Sequence, residues 1–170
     1  MNNKSELRKR AKLIRKNLDI NSMSEQIVFK IKNFEDFKKS KNIMLFYPLE
    51  FEIDILKLLD FEEKNFYLPR IKGLELECCP YKKGDLLRDS EFKTKEPVTE
   101  SVNPEILDLI FVPALMADKN NYRLGYGKGY YDRFLEKTNA ITVVPLAKEL
   151  IAENLPIEEY DKKIDFIITQ

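Results

Sequence analysis

Three apolar runs in this chain each stop at a proline: Asn42-Ile-Met-Leu-Phe-Tyr47 before Pro48, Phe66-Tyr-Leu68 before Pro69, and Leu107-Asp-Leu-Ile-Phe-Val112 before Pro113. A strand that is apolar at consecutive rather than alternate positions buries both faces, as strands do in a parallel sheet covered by helices. Proline has no N–H to continue a ladder, so each run has a defined end. The segments between carry the helical period. Leu7, Ala11, Ile14 and Leu18 predict a helix over 4–18, and Ser22-x-x-Glu25 is a capping box opening a second helix with Met23, Ile27, Ile31 and Phe34 on one side. Further helices are expected over 54–60, 129–137 and 148–154, and strands over 74–79, 140–146 and 164–168. Residues 80–104, polar and closed by prolines, are expected to be irregular. The pattern predicts an α/β fold: a single three-layer domain over 1–170, with a largely parallel sheet flanked by helices.

Composition narrows the function. A chain of 170 residues with 44% hydrophobic and 34% charged residues can build a real core. Its formal net charge of zero gives no general attraction to nucleic acid or anionic membrane, and the apolar runs are strand-sized. No apolar segment follows the basic start as a secretory signal would require, and Cys78 and Cys79 are sequence neighbours, poor partners for a structural disulfide; a cytoplasmic protein is expected. Histidine is absent, which removes Ser-His-Asp and Cys-His nucleophile systems and histidine-ligated zinc.

The chemistry concentrates in Arg123-Leu-Gly-Tyr-Gly-Lys-Gly-Tyr-Tyr-Asp-Arg133. Glycines at alternate positions let a backbone take positive φ and turn its N–H groups on a ligand, and the helix expected next offers its N-terminus to an anion. Arg123 and Lys128 add full charges, so the segment reads as a phosphate-handling loop. It is neither a Walker loop, because Gly129 follows Lys128, nor a dinucleotide fingerprint, because it does not begin directly after its strand. Ligands of open α/β sheets sit beyond the carboxyl ends of the strands, and this loop is expected to leave the strand at 107–112. On the first helix, Lys4, Arg8 and Arg15 form a stripe bordering the apolar face, either a solvated edge or cations reaching a ligand over the core, while Lys9, Arg10, Lys12 and Lys16 read as solvated. Asp54 suits a helix cap; Glu50 and Glu52, just past a strand end, have no such local job and either serve a ligand or serve nothing.

Taken together, Lys4-Ser-Glu-Leu-Arg8, Glu52-Ile-Asp54, Leu68-Pro-Arg70, Asp108-Leu-Ile-Phe-Val-Pro-Ala-Leu115 and the 123–133 segment resemble the 5-formyltetrahydrofolate cyclo-ligase family in sequence and in order. The resemblance implies ATP as co-substrate, Mg²⁺, and closure of 5-formyltetrahydrofolate to 5,10-methenyltetrahydrofolate by way of a phosphorylated formyl group. It implies that Lys4, Arg8, Arg123, Leu124, Gly125, Tyr126, Gly127, Lys128, Gly129, Tyr130 and Tyr131 bind ATP, with Arg123 and Lys128 as catalytic cations and the N-terminal helix contributing to the ATP site. Tyr47, Glu52, Tyr126 and Tyr130 would meet the folate; Asp132 and Asp161 would hold the metal. Small-molecule substrates, no nucleic acid, no membrane and a monomer are the expected partners and state. The chain departs from the family at Ala117, Asn121, Ala147, Leu150 and Tyr160, which implies an altered folate pocket. Two other readings use the same residues: an ATP-dependent ligase or kinase acting on another pterin or small amide, and a nucleotide- or RNA-binding module without catalysis.

Overall fold

The computed structural model describes residues 3–170. Helices α1 (Lys4–Lys16), α2 (Ile20–Asn33) and α3 (Glu35–Lys39) precede β1 (Asn42–Met44). A 3₁₀ turn at Leu56–Asp60 leads to β2 (Asn65–Lys72) and β3 (Glu75–Pro80), followed by the short pair β4 (Leu87–Asp89) and β5 (Lys95–Pro97). Then come β6 (Leu109–Phe111), β7 (Met116–Asp118), β8 (Arg123–Leu124), α4 (Tyr130–Leu135), β9 (Ile141–Pro145), β10 (Ile151–Ala152) and β11 (Phe166–Ile168). The main sheet runs β11-β9-β6-β1-β2-β3, parallel at every pairing except the β2–β3 hairpin. A smaller sheet, β10-β7-β8, and the β4–β5 ribbon lie beside it.

Three layers follow from the strand period of two. Ile43, Leu45, Leu109, Phe111 and Val143 point to one face, where they pack with Ile27, Val28 and Ile31 of α2 and Phe37 of α3. Their neighbours Met44, Ile110, Val112 and Val144 point to the other, against Leu7 and Ala11 of α1 and Phe134 of α4. Both faces are dry, which is why these runs read as continuously apolar.

Several local expectations are corrected. Helix α2 is capped by Asp19, whose side chain accepts from Ser22 N–H at 3.1 Å; Ser22 lies inside the helix, so the capping box at 22–25 does not form. Strand β2 runs through Pro69 because β1 pairs with it only as far as Tyr67, leaving one edge free of a partner. The segment 80–104 contains the β4–β5 ribbon, whose Leu-Arg-Asp and Lys-Glu-Pro sequences carry no apolar alternation. The region expected as helix at 54–60 is a 3₁₀ turn over Leu56–Asp60 with Ile55, not Asp54, at its N-cap; the Asp54 carboxylate accepts from Leu56 N–H just before it. Residues 148–150 form another such turn and 151–152 a strand. The glycine-rich loop leaves β8, not the end of β6, since β7 and β8 intervene. Cys78 and Cys79 are free and buried, as their adjacency suggests; burial pushes their thiols up to about 12 and about 11.

Candidate active site

The carboxyl ends of the parallel strands open into a cleft of about 710 Å³. Lys4, Arg8, Tyr47, Glu52, Asp132, Asp161 and the whole run Arg123–Tyr131 line it, so the structure brings the residues that the family resemblance implies for ATP, folate and metal into one cavity. The small sheet sets the loop: Met116 and Ala117 of β7 pair with Leu124 and Arg123 of β8, which places Arg123 at the cleft's base before the glycines begin.

Two glycines are obligatory there. Gly127 has φ +99°, and a Cβ would lie 3.2 Å from the Arg8 guanidinium, so the cation packs flat on bare backbone. Gly129, at φ +69°, is the left-handed residue from which α4 starts, and a Cβ there would lie 2.7 Å from Arg133 Nη1. Helix α4 is only six residues long, shorter than expected, so its dipole adds little and full side-chain charge must do the work.

All of those charges but Lys128 are already partnered. Arg8 Nε donates to Gly125 O at 2.9 Å, tying α1 to the loop. Lys4 Nζ lies 2.7 Å from Asp161 and 2.8 Å from Glu158. Arg123 meets Asp132 at 3.1 Å and lies over the Tyr131 ring; its side chain is 5% exposed, and its Nε is buried without a hydrogen-bond partner. Burial, opposed by Asp132, pulls the Arg123 guanidinium below its ordinary value. A cation so desolvated and incompletely bonded is primed for an anionic ligand. Lys128 is exposed and has no ion pair among the described residues.

A second part of the lining is organised by Glu52. The turn at 49–52 holds Phe51 at φ +61°, a strained conformation for a bulky residue, and closes through Glu52 N–H to Leu49 O and Leu49 N–H to Glu52 Oε2 at 2.9 Å. The carboxylate is thereby turned inward. Tyr126 of the glycine loop donates to its Oε1 at 2.7 Å, and Arg15, buried behind the lining, approaches the same oxygen at 3.8 Å. Burial nevertheless dominates and raises the Glu52 carboxyl above its ordinary value, with Arg15, Leu49 N–H and Tyr126 pulling the other way. Glu50 is exposed and outside the lining.

Sequence reasoning missed one wall. Phe92, Thr94, Lys95 and Glu96 of the β4–β5 ribbon line the cleft with Pro69, Ile71 and Leu76. Phe92 packs edge-on to Tyr130, with centroids 6.1 Å apart. Arg70 ties the ribbon's exit to the main sheet, donating to Thr99 O at 2.6 Å and to Glu77 at 2.8 Å, while Glu96 accepts from Ile71 N–H. The Leu-Pro-Arg segment was the only signal pointing there. Of the departures from the family, only Tyr160 reaches the cleft. Ala117, Ala147 and Leu150 are core residues, and Asn121 holds φ +66°, a left-handed position that asparagine tolerates in place of glycine. The altered pocket expected from those four positions is therefore not found.

Comparison with known proteins agrees with this geometry. The NMR structure of Aquifex aeolicus 5,10-methenyltetrahydrofolate synthetase superposes with a TM-score of 0.87 at 36% identity, covering 97% of this chain and 88% of that one. A 5,10-methenyltetrahydrofolate synthetase from Mycoplasma pneumoniae shares the fold at a TM-score of 0.79, with 22% identity and 98% of each chain covered. The Mus musculus protein named 5-formyltetrahydrofolate cyclo-ligase is 28% identical over 154 residues, 78% of this chain and 74% of its own. The family model described as the 5-formyltetrahydrofolate cyclo-ligase family matches residues 1–170. With its motifs in order, its fold shared and its whole length matched, this chain belongs to the 5-formyltetrahydrofolate cyclo-ligase family.

Proposed function

We propose that the protein closes 5-formyltetrahydrofolate to 5,10-methenyltetrahydrofolate at the cost of ATP, within residues 1–170 acting as one catalytic unit. The observation that carries the reading is the make-up of one cleft: a cation-rich glycine loop, an inward carboxylate that Tyr126 of that loop reaches, and a wall of apolar and aromatic side chains beside them. The loop end suits the triphosphate and the Glu52 end suits the N–H donors of a pterin, with Tyr47, Tyr126 and Tyr130 between them. Bound so, the N5-formyl oxygen attacks the γ-phosphorus and ADP leaves. The folate's N10 then attacks the activated formyl carbon, loses its proton, and phosphate departs. Lys4, Arg8, Arg123 and Lys128 supply positive charge around the transferring group, the main demand of phosphoryl transfer. No protein nucleophile is needed, in keeping with a chain that has no histidine and whose cysteines are buried away from the cleft.

Magnesium fits the donors present. No group of three metal-ligating side chains gathers among the described residues. Mg²⁺, however, needs only one or two carboxylates beside phosphate oxygens and water. Asp132 and Asp161 would hold it, and it would neutralise phosphate charge. Each carboxylate is now paired to a cation that phosphate would also attract, so the donors become free as the phosphates arrive. We take the monomer as the working state, and two unpaired buried cysteines suit a reducing cytoplasm. No helix among the described residues is long and apolar enough to cross a membrane.

The test is a rise in methenyl-folate absorbance when MgATP is added to the protein with 5-formyltetrahydrofolate, with one ADP released per product. ATP hydrolysis without that band, or the band with another pterin only, would overturn the reading.

A further inference from the structure

Arg15 is the one member of the basic stripe on α1 that the proposed chemistry leaves unused. It does not line the cleft, yet its side chain is only 6% exposed, which is unusual for an arginine and requires partners. It has them. Nη2 donates to Ala114 O, Nη1 donates to the Tyr126 hydroxyl at 2.8 Å, and Nη1 lies 3.8 Å from Glu52 Oε1. The Tyr126 hydroxyl in turn donates to that same Glu52 oxygen. One guanidinium therefore joins α1, the loop after β6, the glycine loop and the turn after β1.

We propose that Arg15 is a positioning residue for the folate end of the cleft: from behind the lining it fixes the Tyr126 hydroxyl and the Glu52 carboxylate in one arrangement, and its charge favours the carboxylate form that would receive the pterin's donors. This rests on the folate reading of Glu52 given above. The geometry leaves the substrate enough acceptors. An ionised carboxylate offers about four lone-pair positions, of which Leu49 N–H and the Tyr126 hydroxyl take two. The charged and titratable groups facing Glu52 are Arg15 from α1, Tyr126 from the glycine loop and Tyr131 from α4. Burial raises both tyrosine hydroxyls, so neither ionises near neutrality and Arg15 is the sole counter-charge in this set. Arg8, two turns earlier on the same helix, holds Gly125 O, so α1 grips adjacent loop residues toward different ends of the cleft.

The experiment measures the Michaelis constants for 5-formyltetrahydrofolate and for ATP between pH 6 and 9 in the wild type, Arg15→Met, Arg15→Lys and Glu52→Gln/Arg15→Met. In Arg15→Met the uncompensated carboxyl titrates at higher pH. Its folate constant should rise about tenfold at the acid end, one tenfold per unit of displaced titration, and converge on wild type as pH rises. The ATP constant should change by less, about twofold, because Arg15 reaches the glycine loop only at the Tyr126 hydroxyl. Arg15→Lys, which restores charge without the fork, should recover most of the pH profile. Parallel profiles in wild type and Arg15→Met, equal rises in both constants, or no recovery in Arg15→Lys would each overturn the assignment. If Arg15→Met does not accumulate as folded protein, the double variant decides. It carries no unbalanced charge and should fold; its failure to fold would show that Arg15 serves Ala114 O rather than Glu52. A wild type that does not turn over 5-formyltetrahydrofolate strikes the folate reading itself, whereas a wild type that does, with parallel profiles, strikes only Arg15.

Discussion

The glycine loop and the β4–β5 ribbon both line one cleft and meet where Tyr130 packs on Phe92, yet they are built by different rules. The loop is a run of consecutive residues held by buried cations and by backbone conformations open mainly to glycine. The ribbon has little core of its own and is docked by two tethers, Arg70 and Glu96. A two-stranded ribbon is at best marginally stable alone, so its place in the cleft depends on those tethers. The loop should therefore govern rate, and the ribbon how firmly the substrate sits.

The strongest way to break that division is Lys128→Ala. The side chain is exposed and unpaired among the described residues, so the melting temperature should not move, whereas kcat/KM should fall by about 2–4 kcal/mol of transition-state stabilisation. A stable variant with near-normal kcat/KM would remove the loop's rate-setting role. Next in size is Arg8→Ala, which loses a charged hydrogen bond to Gly125 O worth about 1.5–3 kcal/mol. It should raise the ATP constant, while Lys9→Ala, about 100° around the helix and exposed, should leave it alone. Equal effects would return the stripe to a solvated face.

Glu52→Gln sharpens the comparison from the carboxylate end. Exchanging a charged acceptor for a neutral one should raise the folate constant by about 1 kcal/mol, roughly fivefold. Stability should respond to pH as well. Because the folded carboxyl is raised, its contribution is complete below the unfolded pKa and is lost as pH rises through the folded one. The glutamine variant has no such loss. Its melting temperature relative to wild type should therefore improve from pH 4 to pH 8; a constant or worsening difference would contradict the raised carboxyl. The smallest effect is expected of Phe92→Leu in the ribbon. It keeps most apolar area but loses the edge contact with Tyr130, costing about 0.5 kcal/mol in folate affinity with kcat unchanged.

The same contrast explains what could be read in the sequence. The glycine loop was legible because glycine, lysine and arginine stood together and their chemistry is local. The parallel sheet was legible because strands buried on both faces must be apolar throughout, as Leu109–Phe111 and Val143–Val144 are. The ribbon was not, because Leu87-Arg-Asp89 and Lys95-Glu-Pro97 owe their place to Arg70, which reaches from β2 to Pro97 O and Thr99 O, and to Glu96, which reaches from β5 back to Ile71 N–H. Strands β7 and β8 were missed because they are three and two residues long and shaped by each other. Arg15 was visible as a member of the stripe, but nothing in its own neighbourhood says that it points inward; that depends on Glu52 and Tyr126, far along the chain.

The strand order also bears on how the molecule comes into being. Strand β1 lies inside the sheet and must pair with β6, Ile43 opposite Leu109, as well as with nearby β2. Lys4 finds its carboxylate partners only at Glu158 and Asp161, beyond β10. During synthesis, the first helix and the first strand must wait for most of the chain before their partners emerge. Such distant closures make folding slow, whatever the strength of the individual helices. The part of the cleft that joins Lys4 to Glu158 and Asp161 cannot be complete until residues more than 150 positions apart have met.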